Sequence, residues 1–98
     1  VAGGIKIDEP AADLAVAIAI AASFKNRPVK DNAVIIGEVG LSGEVRAVAY
    51  ADKRIQEAAK LGFTEVIIPY ENAQDCRNSA IKVTGVKNVR QAVEMTLE

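Results

Sequence analysis

The hydrophobic and polar positions change rhythm several times along this chain, and each rhythm predicts an element. Val1 to Ile7 reads as a short apolar strand, broken at Asp8 as a helix N-cap, with Glu9-Pro10 in a first turn that tolerates an acid and a proline. From Ala11 to about Phe24 apolar residues occupy every face and Asp13 is the only charge before Lys25. That is the pattern of a helix enclosed by protein on most sides. At roughly a dozen residues it is too short for a bilayer, which takes about 20. Ala33 to Val39 is a continuous, β-branched run and reads as one buried strand. Gly40-Leu41-Ser42-Gly43 follows, with two glycines suited to positive φ, so Gly37 to Arg46 reads as a hairpin whose second arm continues to Val48.

The rhythm then becomes helical. Ala51, Ile55, Ala58 and Ala59 share one face of a segment from Ala49 to Leu61, opposite Lys53, Arg54, Gln56, Glu57 and Lys60, and Gly62 closes it. Phe63 to Pro69 is a second apolar strand, ended by its proline. Helix, glycine and strand in this order make half of a βαβ crossover. Tyr70 to Ser79 is polar with room for one helical turn, Ala80 to Val86 is a short strand, and Asn88 caps a closing helix striped by Val89, Ala92, Val93 and Leu97. These elements predict a single α/β domain with no internal repeat.

Composition narrows the chemistry. Ninety-eight residues make one domain, and with half of them hydrophobic but only 4% aromatic, its core must be aliphatic and alanine-rich. A net charge of −1 exerts no global pull on nucleic acid or membrane, so such binding would need a local patch. Lys25, Arg27 and Lys30 crowd one polar loop, which is either a solvated surface or a contact to phosphates or a neighbouring subunit. With no histidine, imidazole metal sites and His-containing triads are excluded within these residues. The single cysteine, Cys76, excludes an internal disulfide and fits a reduced, cytosolic setting. No Gly-Lys-Ser/Thr follows the glycine turn, which argues against a phosphate loop. The chain opens on Val1 inside an apparent strand, so it reads as part of something longer.

Four stretches carry a resemblance: Gly3 to Ala15, Gly37 to Arg46, Glu57 to Phe63 and Val66 to Pro69, with the closing Gly85 to Glu94 in the same order. Together they resemble the C-terminal, Lon protease-like domain of the RadA (Sms) family of bacterial DNA-repair proteins. The resemblance covers essentially the whole chain. It implies an α/β (α+β) fold like the Lon proteolytic domain and domain 2 of ribosomal protein S5, a sheet packed with helices, with residues 1–98 as its C-terminal portion and several strands and a helix of the domain preceding them.

That likeness also implies what became of the Lon chemistry. In Lon proteases the nucleophilic serine opens the helix that here begins Pro10-Ala11-Ala12-Asp13, so its position falls on Ala11. Its lysine partner, aligned without gaps through Val66 to Asn72, falls on Asp52. A Ser-Lys dyad needs a hydroxyl within hydrogen-bond reach of a neutral amine, and a methyl group and a carboxylate supply neither. Lys53 is adjacent but rotated about 100° around the helix. The runner-up is a Lon-type serine peptidase with a displaced dyad, using Ser42 or Ser23 with Lys53; a small-ligand binder in the vacated cleft by Ala11 is a third reading.

The favoured reading is a protease fold without proteolysis, a scaffold of a branch-migrating DNA-repair ATPase in the bacterial cytoplasm, with no membrane partner. The resemblance implies a homo-hexameric ring and a grip on DNA. ATP with magnesium and a four-cysteine zinc site would belong to the rest of the parent, with no cofactor in these residues. The DNA-binding candidates are Lys6, Lys25, Arg27, Lys30, Lys53 and Arg54, and Glu38, Glu44 and Arg46 are candidates for subunit contact.

Overall fold

The structure is a computed structural model that describes residues 9–76 and 80–98. The expected strand from Val1, the Asp8 cap and Lys6 lie outside the described residues, as does the stretch from Arg77 to Ser79. Elements follow in the order α1 (Asp13–Lys25), β1 (Ala33–Ile35), β2 (Glu38–Val39), β3 (Val45–Arg46), α2 (Ala51–Lys60), β4 (Glu65–Pro69), α3 (Tyr70–Asp75), β5 (Lys82–Val86) and α4 (Val89–Thr96). A single 3-10 turn, Pro10–Ala12, leads into α1.

β4 is the centre of the molecule. It pairs in parallel with β1 on one side and β5 on the other, and its five residues are all buried. A strand's side chains alternate between faces, and here Val66 and Ile68 join a cluster with Ile55, Ala58, Ile36 and Ile81 while Ile67 joins Leu14, Ile18, Val86 and Ala92. The sheet is therefore covered on both faces, by α2 on one and by α1 with α4 on the other, which is why β4 reads as an unbroken apolar run.

Three expectations need correction. The run from Ala33 to Val39 is two strands, not one. The Ile36 amide still donates to the Ile67 carbonyl of β4, at 2.8 Å, but at Gly37 the chain leaves the sheet, because Gly37 donates to the Ala11 carbonyl and accepts from the Leu14 amide, at 2.8 and 2.9 Å. β2 then belongs to a separate antiparallel pair with β3, which stops at Arg46 rather than Val48. Of the two hairpin glycines only Gly43 takes positive φ, +83°.

The largest departure concerns α1. It buries Leu14, Ile18 and Ala22 against the sheet and α4, but Val16, Ile20 and Phe24 line the opposite side at 39, 64 and 92% exposure. An all-round apolar sequence has no preferred face, so its pattern did not reveal that this helix is covered on one side only among the described residues. The remaining elements follow their sequence signals. Gly62, at φ +94°, ends α2, and the Asn88 carboxamide accepts from the Gln91 amide at 2.8 Å to cap α4. In α4 the stripe also includes Thr96, fully buried and satisfied by its bond to the Ala92 carbonyl.

Candidate functional site

The 3-10 turn puts Ala11 at the mouth of α1, facing the segment that leads from β3 into α2. Between them lies a groove of about 280 Å³ lined by Glu9, Pro10, Ala11, Glu38, Ala47, Val48, Ala49, Tyr50 and Arg54. Its floor is made of alanines, valine and proline. Its rim is charged: Glu9 and Arg54 pair across it at 2.6 Å, and Arg54 also donates to the Ala49 carbonyl at 2.9 Å. Glu38 stands half-buried in β2 with no ion pair or side-chain hydrogen bond among the described residues.

One wall is held from behind. The Val48 amide donates to the Asn72 carboxamide oxygen at 2.9 Å, and the Asn72 amide group donates back to the Val48 carbonyl at 3.1 Å. Tyr50 ends that wall with φ +60°, a conformation uncommon for a bulky residue and costing about 1–2 kcal/mol. The residue is 71% exposed, with the Lys53 ammonium 5.6 Å from the ring centre.

No serine, threonine, cysteine or lysine lines the groove among the described residues. Ala11 itself is buried, in the same cluster as Ala51 and Ile55. Asp52 is exposed on the first turn of α2 and faces the Cys76 thiol rather than the groove lining. Burial first, then hydrogen bonding to Asp52 and the charges of Asp52 and Asp75, push that thiol up to about 11, so it is protonated and inert near neutrality. Ser42 sits at the hairpin tip beside Gly43 and Asn88, and Ser23 lies on the exposed side of α1 with Ile20 and Phe24. The structure does not bring either serine to Lys53 in this groove.

The candidate cations disperse in the same way. Lys30 pairs with the buried Glu65 carboxylate at 2.8 Å, and Arg27 donates to the Glu98 carbonyl at 2.8 Å, stitching its loop to the end of α4. Arg54 is held by Glu9. Lys25 and Lys53 keep exposed ammonium groups without an ion pair among the described residues. The sequence reading overlooked Glu65. It looks like one more polar residue at a strand edge, yet it is 5% exposed and collects Lys30, the Thr84 hydroxyl at 2.7 Å and Lys82 at 4.0 Å. Burial alone would raise its pKa; the Lys30 and Thr84 hydrogen bonds and the two lysine charges outweigh that and hold the carboxyl below its ordinary value. No group of three or more potential metal-binding side chains occurs among the described residues, and no helix there is long and apolar enough to cross a membrane.

Set against known proteins, residues 2–72 match the profile of the ChlI family, described as subunit ChlI of Mg-chelatase. The chain belongs to this family. Among curated relatives it is 52% identical to the DNA repair protein RadA of Halalkalibacterium halodurans, over 99% of this chain. It is 50% identical to that of Bacillus subtilis, again over 99% of its length, and 44% identical to that of Listeria monocytogenes over 98%. It spans about a fifth of the length of these relatives, 21% in each case. The mixed α/β fold with its parallel sheet is thus the form that this family takes here.

Proposed function

We propose that the chain is a non-catalytic assembly and DNA-binding module within a DNA-repair ATPase of the RadA kind, acting in branch migration in the bacterial cytoplasm. The observation that carries this reading is half-identity to proteins named DNA repair protein RadA along nearly the whole chain. The lining of the groove supports the non-catalytic part. Ala11 and Asp52, the positions of the Lon dyad by resemblance, offer a methyl group and a carboxylate, and neither can act as nucleophile or as neutral amine base. No observation favours the displaced-dyad peptidase.

On this reading the rest of the Lon-like domain, the motor with its ATP and magnesium, and the zinc site belong to the parent outside these residues. Self-assembly into a six-membered ring and contact with DNA are the module's contributions. Lys53, exposed beside the Tyr50 ring and without an ion pair among the described residues, is our nominee for phosphate contact. Arg27, Lys30 and Arg54 are committed to internal partners that fold the module.

The test is fluorescence anisotropy of the full-length parent on single- and double-stranded DNA across a salt series. Lys53→Ala is expected to weaken binding and reduce the salt slope by about 1, without moving the melting temperature. Binding by Lys53→Ala with an unchanged slope removes Lys53 from the interface. Turnover of a fluorogenic peptide by the same preparation, blocked by a serine-directed reagent, would replace the reading with a peptidase.

A further inference from the structure

The groove at the front of α1 and the tip at its far end are chemical complements. The groove has an alanine floor, an exposed Tyr50 and one half-buried carboxylate, Glu38, without an ion pair among the described residues. The tip offers Phe24, almost fully exposed, and next to it in the chain the Lys25 ammonium, without an ion pair among the described residues. That tip is rigid. Asn26 closes α1 in the left-handed conformation, and the Arg27 amide donates to the Ala22 carbonyl at 3.0 Å, so the backbone that carries Phe24 and Lys25 is fixed.

The two patches cannot meet within one molecule. They flank a helix of 13 residues, which at about 1.5 Å per residue separates them by about 20 Å. We propose that the groove receives the α1 tip of a second copy of this chain, with Phe24 on the Tyr50 ring and the alanine floor and Lys25 paired to Glu38. This inference rests on the self-assembly reading above and names its contact. Glu9 is already paired with Arg54, so Glu38 is the groove's uncompensated charge among the described residues, and an aromatic ring beside a cation answers both the floor and Glu38. At about 280 Å³ the groove lies just below the usual range of about 300–1,000 Å³ for small-molecule pockets and suits one or two side chains. Because donor and acceptor patches differ, the contact is head-to-tail, and repetition gives a ring if the rotation closes.

Zero-length carbodiimide cross-linking tests this on a mixture of ¹⁴N- and ¹⁵N-labelled full-length parent. The internal Lys30–Glu65 pair, 2.8 Å apart, reports that the chemistry worked. A mixed-isotope peptide joining Lys25 to Glu38 is expected. Mixed-isotope links elsewhere without this one overturn the contact and leave self-assembly standing. Their complete absence, with Lys30–Glu65 linked, overturns self-assembly and this contact together. As a second arm, Lys25→Glu and Glu38→Lys should each weaken association about tenfold or more, and the doubly swapped protein should recover most of that loss. Correctly melting single variants whose combination fails to recover would overturn the proposal.

Discussion

At the scale of single residues, two ionisable groups set opposite pH limits. Glu65 is held ionised against the cost of its burial, so its folded pKa lies below the unfolded value near 4.5. Its stabilisation is therefore complete above that value and is lost as pH falls through the lower folded pKa. A thermal melt series from pH 7 to pH 3 should show a steep acid loss that Glu65→Gln flattens. At pH 7 the same substitution should cost about 1–3 kcal/mol in urea unfolding, because it takes the charge away from Lys30 and weakens the bond from the Thr84 hydroxyl. Cys76 behaves in reverse. Its folded pKa of about 11 lies above the unfolded 9.0, so stability holds below pH 9 and declines as pH rises from about 9 to 11. Alkylation of native Cys76 at pH 8 should accordingly be slow and should accelerate only on unfolding.

At the scale of elements, what was legible in the sequence depended on how much local chemistry specified the structure. α2, β4, β5 and α4 could be placed because amphipathic spacing, Gly62, Pro69 and the Asn88 cap are all local signals. The break at Ile36–Gly37 could not, since it arises from hydrogen bonds to Ala11 and Leu14, more than twenty residues away. The groove itself was visible only as the position of Ala11. Its rim pairs Glu9 with Arg54 and its wall depends on Asn72, contacts that no spacing rule encodes. Gly85 shows a similar long-range constraint. A Cβ built there would lie 2.8 Å from the Ala73 Cβ and 3.1 Å from the Tyr70 Cα, so α3 can lie against β5 only over a bare backbone. Gly85→Ala should destabilise the chain by about 1–3 kcal/mol, measured by denaturant midpoint, as expected for overpacking.

At the scale of the whole molecule, the two covered faces of the sheet contrast with the side of α1 that is uncovered among the described residues. Val16, Ile20 and Phe24 form a stripe at i, i+4 and i+8, and burying such side chains is worth about 1.5–3 kcal/mol each. Ile20→Lys on this side, uncovered among the described residues, should leave the melting temperature of the 98-residue chain within a few degrees and raise its solubility limit, read by light scattering against concentration. A large fall in melting temperature would mean that this side is already packed. The stripe runs along the outer side of α1 and the groove lies at its N-terminal end, so both features belong to the same helix.

The pair of hydrogen bonds between Asn72 and Val48 has a mechanical consequence. One carboxamide answers both backbone polar groups of a single residue, much as a neighbouring strand would, so the groove wall is latched to α3, and α3 rests on the bare backbone of Gly85. A push on α3, which lines no part of the groove, would be felt as a change in its width. Asn72→Asp keeps the acceptor and discards the donor. Hydrogen exchange from Ala47 to Tyr50 should quicken in that variant while exchange in β4 does not, as a wall does when one of its two hinges is undone.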